Sequence, residues 1–415
     1  MNDAVRPLAL FAGHGIELEY IIVDRDQHNV LPLTDRVLHA VAGEYVEEVA
    51  RGDVAWSNEL VLHVIELKTN GPVAELGGLA QAFQREISHI DEILRPLNGM
   101  LMPTAMHPWM NPDLETRLWP HGHNEIYAAF NRIFDCRGHG WSNLQSMHIN
   151  LPFADDHEFA QLHAAIRCLL PILPALAASS PLMQWELTGL MDTRMEVYRH
   201  NARRIPSITG LVVPETASTR RDYEEGILEP MYADIAPHDP EGVLQFEWLN
   251  ARGAIARFDR NTIEIRVLDT QESPTMDLAI ASGVCAVLRA LVAGAFRPLP
   301  EQNELATGAL AQIFEDCVHA ADHAVIENRG YLRLFQFPER RAQAHELWQH
   351  LLESMPAHES DAEWRQPLQF ILHEGCLARR ITRAVGKSAR RSHVQETYRV
   401  LCRNLAEGSR FEGIG

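Results

Sequence analysis

The chain has 415 residues, 46% of them hydrophobic and 22% charged, which is ordinary for a folded globular protein and excludes a chain dominated by disorder. Its formal net charge of −19 excludes nucleic acid as the main partner, because a basic surface would have to work against the field of the whole molecule. The six widely spaced cysteines, with no C-x-x-C pair, predict reduced thiols packed in a core instead of a disulfide scaffold.

The opening "MNDAVRPLAL" has no charged segment leading into a long apolar run, so no signal peptide is predicted. The most apolar window, "CLLPILPALAASSPLM" (168–183), is broken by Pro171, Pro174 and Pro181 and falls short of the ~20 residues that a membrane span needs. A cytoplasmic protein with small-molecule partners and no membrane contact is expected, and a homo-oligomer is compatible with the sequence.

In chain order, "GHGIELEYIIVD" (13–24) reads as a strand with Ile16, Leu18, Tyr20 and Ile22 on one face and Glu17, Glu19, Ile21 and Val23 on the other. Two carboxylates on a strand at i, i+2 sit roughly 7 Å apart, and at an effective dielectric of about 20 they repel by about 2 kcal/mol. Something positive is expected beside them. "LTDRVLHAV" then has helical periodicity, and "LVLHVIEL" reads as a second strand, with Glu59 at its entrance and Glu66 as the odd acid in an apolar run. A helix follows in "LGGLAQAFQREISHIDEILRPL", then a loop rich in Pro, His and Trp (102–123), a helix around "NEIYAAFNRIF" and the strand "SMHINLPF". Residues 156–192 read as two helical stretches separated by prolines, and 199–246 as irregular and charged. The strand "NTIEIRVLD" comes next, and from residue 275 onward nearly everything is helical. The arginine-dense stretch 376–393 reads as a solvated or anion-facing helix flank.

Three strands share one oddity, a polar pair at i, i+2 among apolar neighbours: Glu17 with Glu19, His148 with Asn150, and Glu264 with Arg266. Taken singly, each pair is more often an exposed edge or a cross-strand ion pair. Taken together in one sheet, they converge on one surface, where carboxylates and an imidazole supply hard ligands for Mg²⁺ or Mn²⁺ and an arginine suits a phosphate. His121 and His123 lie close enough to suggest zinc, but with neither cysteines nor an H-E-x-x-H arrangement the loop 107–123 reads as a substrate cover. There is no P-loop, no dinucleotide-binding glycine fingerprint and no G-x-S-x-G.

The segments "GIELEY", "NELVLHVIELKTN", "MHIN", "ASSPLMQWELTGLMDTRMEVYR" and "RNTIEIRVLD", in this order, resemble the motifs of the glutamate-cysteine ligase family, including its carboxylate-amine ligase branch. "EGCLARRI" (374–381) fits that family's C-terminal part. The resemblance implies an α+β fold like that of glutamine synthetase and the guanidino kinases: a curved, mainly antiparallel sheet with helices outside and ATP with divalent metals in its concavity. The order of elements, strands early and in the middle with helices between and after them, suggests an α+β catalytic core over 1–295 and a helical region over 296–415 packed on it as one unit. The resemblance further implies Glu17, Glu19, Glu66, His148 and Glu264 as metal ligands, with Glu264 and Arg266 in catalysis at the transferred phosphate. Arg199, Asn150 and Glu59 would contact substrate or ATP. The expected reaction is ATP-dependent amide formation, with glutamate as carboxylate donor and the amine left open. A guanidino-kinase-like phosphotransferase and a non-catalytic nucleotide-binding regulator of the same fold are the alternatives.

Overall fold

The computed structural model describes residues 7–355 and 362–414; the first six residues of the stretch read for a signal peptide lie outside them. Its centre is an eight-stranded sheet built from β1 (Gly15–Asp24), β2 (Glu48–Arg51), β3 (Val54–Asn58), β4 (Val64–Thr69), β5 (Gly99–Met102) and β6 (Ser146–Pro152). A separate small hairpin is formed by β7 (Leu182–Met183) and β8 (Glu186–Leu187), and the main sheet is completed by β9 (Ala254–Arg257) and β10 (Thr262–Asp269). The order is β2-β3-β4-β1-β6-β10-β9, with β5 pairing the far half of β1. Every pairing in it is antiparallel.

The alternation in β1 explains the layering. Ile16, Leu18, Tyr20 and Ile22 enter the main core, where they meet the helix Leu79–Leu94 through Phe83, Ile87, Ile90 and Leu94, and the helix Pro274–Val292. The other face of β1 is divided. Ile21 and Val23 pack in a second core with Trp109 and with Val394, Tyr398 and Leu401 of the helix Arg391–Glu407, whereas Glu17 and Glu19 open onto a cavity. The face that turns from acidic to apolar within four residues is thus half site and half core.

Several expectations need correction. Of the two helical stretches expected in 156–192, only Asp156–Leu169 is a full helix; the prolines leave one turn at Pro174–Ala177, and the β7–β8 hairpin follows. The segment read as irregular contains nearly continuous helix from Arg220 to His238. The most apolar long element is Pro274–Val292, among the described residues the one helix long and apolar enough to cross a membrane, but 67% of its most apolar window is buried inside the protein. The arginine-rich flank is not simply solvated, since Arg380 is buried against Glu272. All six cysteines are free and buried.

Candidate active site

The register of the sheet sets its polar side chains in rows. Glu48, Ser57, Glu66 and Glu19 stand opposite one another across β2, β3, β4 and β1. In the next row Lys68 faces Glu17, and Glu17 faces His148. Beyond these, Gly15 faces Asn150 and Asn150 faces Glu264. A bulge between Ile265 and Leu268 interrupts β10, where the Arg266 N–H turns to the Gly253 carbonyl at 2.9 Å.

Glu17, Glu19, Glu59, Glu66, His148, Glu264 and Arg266 all line one cavity of about 370 Å³. Asn150 stands behind it and donates to Glu17 Oε1 at 2.9 Å. His148 bonds Glu17 Oε2 through Nδ1 at 2.7 Å, and Ser146 Oγ lies 2.9 Å from its Nε2. Ser146 also donates from its backbone N–H to Glu19 Oε2 at 2.7 Å. Glu66 Oε1 accepts from Ser57 Oγ at 2.6 Å and from Lys68 Nζ at 3.1 Å. Arg266 grips Glu264 Oε1 with Nε at 3.0 Å and Nη2 at 2.5 Å.

The charges are not balanced one for one. Burial would raise Glu17, but the His148 hydrogen bond and charge, with Lys68 and Arg266, hold it down to about 2. Burial works against the charge on His148, yet Glu17, Glu264 and Glu19 hold its pKa up at about 9. Burial and the repulsion of Glu17 push Glu66 up to about 7. Glu59 is pushed well up by burial and by Glu19 and Glu66, and Glu19 is pushed up by burial against the pull of His148. Ligand atoms of Glu17, Glu66 and His148, and likewise of Glu19, Glu59 and Glu66, lie within 4.8 Å of one another. Buried like charges held this close, presenting oxygens and one imidazole, fit a hard divalent cation.

Arg199 is the exception. Its guanidinium binds Glu196 at 2.8 Å and Glu315 at 2.6 Å, outside the cavity lining. Arg194, five residues earlier in the same helical turn, lines the cavity instead and is fixed by a buried bond from Nε to Asp269 at 2.5 Å. The loop 107–123, expected to cover the substrate, does not line the cavity. His107, Trp109 and Trp119 are buried, and His121 bonds Asp35 at 3.2 Å. No group of three potential metal ligands includes His121 or His123 among the described residues.

Sequence reasoning also passed over Lys68, Arg257 and the cavity's aromatic wall. Phe130 meets Trp141 and Trp248 with ring centroids 5.2 and 5.9 Å away. The turn that carries Trp141 sits tightly on the neighbouring chain, since a Cβ on Gly140 would come within 2.7 Å of the Val197 carbonyl oxygen. A larger cavity of about 840 Å³ lies beside the helices Leu79–Leu94 and Pro274–Val292, but it gathers no comparable cluster of ligands among the described residues.

The family model described as glutamate-cysteine ligase family 2 matches residues 14–400. This chain belongs to that family. An "Uncharacterized protein" from Archaeoglobus fulgidus is 36% identical over 277 residues, covering 66% of this chain and 74% of its own. Further relatives, 23–26% identical, are matched over only 55–70% of their length. Among solved structures, a bifunctional glutathione synthetase from Pasteurella multocida superposes with a TM-score of 0.61 at 13% identity, over 96% of this chain and 53% of that one. A glutamate–cysteine ligase from Francisella tularensis in complex with AMP gives 0.58 at 11% identity, over 95% and 88%. Identities this low speak to the fold, an α+β architecture of the glutamine synthetase kind with a central antiparallel sheet flanked by helices.

Proposed function

We propose that this family member is an ATP-dependent ligase that joins a carboxylate, with glutamate as the first candidate, to an amine through an acyl phosphate. The observation that carries the reading is the gathering of acids from β1, β4 and β10 in one cavity, with His148 between them and cations around them. A carboxylate does not condense with an amine in water, because hydroxide is a poor leaving group; phosphorylation by ATP supplies a better one. Two anions must therefore meet, and their repulsion has to be neutralised.

Glu17, Glu19, Glu59, Glu66, His148 and Glu264 would hold Mg²⁺ or Mn²⁺, which when bound neutralises phosphate charge and polarises the transferred group. Arg266, now bonded to Glu264, would offer a planar fork to phosphoryl oxygens, and Asp269 keeps the Arg194 guanidinium at the cavity wall. Tyr127, Phe130, Trp141 and Trp248 form an apolar side that keeps water from the activated carboxylate. The test is incubation with ATP, Mg²⁺, glutamate and pooled amines, followed by mass spectrometry and phosphate assay. Phosphate released in proportion to a new amide is the expected result. A phosphorylated amine would make the chain a kinase, and no ATP-dependent product from any pool would sink the ligase reading.

A further inference from the structure

Lys68 is one of two lysines in the chain, and it stands among acids. It follows Glu66 by two residues on β4, shares its face, and lies directly across from Glu17. Its ammonium contacts Glu66 Oε1 at 3.1 Å and Glu48 Oε2 at 2.8 Å. These two contacts are unequal. The Glu48 side chain, on the edge strand, is 52% exposed and its pairing is screened by water, whereas that of Glu66 is 8% exposed within the cavity. Glu66 is therefore what keeps the lysine's charge from the cavity. Arg266 is held in the same manner by Glu264. Each of these cations is occupied by an acid that a divalent ion would claim, and a carboxylate committed to an ion has less charge left for a neighbour.

A dicarboxylic substrate brings one carboxylate to be activated and a second that needs a cation. Arg194 is committed to buried Asp269, and Arg266 would face the phosphoryl group, while Arg257 and Arg260, which also line the cavity, share the exposed Asp259 at 2.9 and 3.8 Å. Lys68 is the cation set within the β1 and β4 acids, a point charge with three donors on a flexible stem that can change partner while the strand stays still. We propose that Lys68 binds the substrate's second carboxylate and is released for that task when Glu66 turns to a divalent ion, so that metal and carboxylate bind in that order. This rests on the ligase reading above and adds to it a substrate-binding residue and an order of addition.

The test uses the full chain and reads binding by calorimetry. L-glutamate and a panel of other dicarboxylic and amino acids are titrated in EDTA, then in Mg²⁺ with a non-hydrolysable ATP analogue. Wild type should bind a carboxylate of the panel at least about tenfold more tightly in the second condition, the worth of a charge-assisted hydrogen bond. Lys68→Met should lose about tenfold or more of that affinity while its affinity for the analogue stays within about twofold, and Lys68→Arg should recover part of the loss. Glu66→Gln, which frees the lysine without metal, should narrow the gap between EDTA and Mg²⁺. Equal binding by wild type in both conditions, wild-type affinity in Lys68→Met, or no binding by any carboxylate would overturn the proposal. Failure of the nucleotide analogue to bind would overturn the ligase reading, and this proposal with it.

Discussion

Glu272 and Glu66 are both glutamates almost wholly withdrawn from water, at 0% and 6% exposure, and their surroundings are opposite in kind. Glu272 is met by Arg380 Nη1 at 2.5 Å and by the Phe411 N–H at 3.1 Å, which ties the C-terminal segment to the chain just after β10. Asp269 is served as fully, by Arg194, the Ser179 N–H and the Ser180 hydroxyl. Glu66 instead faces Glu19 across the sheet and is shared with a single lysine, and no hydrogen bond reaches the Glu59 carboxylate among the described residues. Glu272 and Asp269 each have an arginine and a backbone donor, whereas Glu66 has neither, and an acid held against its neighbours in this way fits a cation that binds there.

The largest expected effect lies on the structural side of this contrast. Glu272→Gln leaves Arg380 charged and buried without its counter-ion, which costs about 3 kcal/mol or more. Urea unfolding would measure it, and a loss below about 1 kcal/mol would show that Glu272 belongs with the site acids in energetic terms. Next in size is the response to Mg²⁺. At roughly a hundred times its dissociation constant, a bound ion adds about 2.7 kcal/mol to the wild type. Glu19→Gln and Glu66→Gln should lose most of that gain, while Glu272→Gln, however unstable, should keep it. Melting curves with EDTA and with Mg²⁺ decide the matter, and equal gains in all variants would break the division between the two sets.

His163 offers a third environment, buried in the main core beside Phe159 and Tyr223 with neither ring nitrogen meeting a protein partner. Burial, and to a lesser degree Arg167, depress its pKa to about 3. The sign follows from linkage: the unfolded chain, titrating near 6.5, binds the proton that the folded chain refuses. The histidine's contribution is therefore fully present above about pH 6.5 and is lost as pH falls towards 3. At pH 5 the loss is about 2 kcal/mol. His163→Phe should remove this share of the acid sensitivity, read as a smaller drop in stability between pH 7.5 and pH 5 than in wild type. An unchanged drop would mean that the folded chain does take up the proton.

What could be read from the sequence divides along physical lines. Strand pairs at i, i+2 declare their common face through the period of two, so Glu17 with Glu19, His148 with Asn150 and Glu264 with Arg266 could be assembled before any coordinates. The same signal is present in "IELKT", where Lys68 follows Glu66 by two, and it was left unread. Arg199 is named by the resemblance alone, and nothing local in "TRMEVYR" tells that Arg194 is the arginine that meets the cavity, because the facing side of a short helix shows only in its packing. The aromatic wall comes from a helix, a turn and a loop, and nothing local in Phe130, Trp141 or Trp248 links them. Glu17 was also placed among acids in conflict, but the register gives it His148 and Asn150 as partners.

That reassignment yields the smallest and most discriminating expectation. Glu59 and Glu17 lie in one cavity, one pushed well up by burial and by Glu19 and Glu66, the other held down to about 2 by His148 against the effect of burial. Two carboxylates about 5 Å apart repel by about 3 kcal/mol at an effective dielectric of 20, and partial protonation relieves much of this. Glu59→Gln should therefore raise the stability of the metal-free protein by only about 1 kcal/mol at pH 8, where relief by protonation is least. Glu17→Gln should lower it, because the change strands the charge on His148. The readout is a pair of denaturant midpoints in EDTA at pH 8, with the slopes compared to exclude a change in the unfolded state. Stability falling in both variants would mean that Glu59 has a partner in the folded chain after all and belongs with Glu272. Stability rising in both would mean that His148 is neutral in the metal-free protein and that Glu17 shares the repulsion of its row.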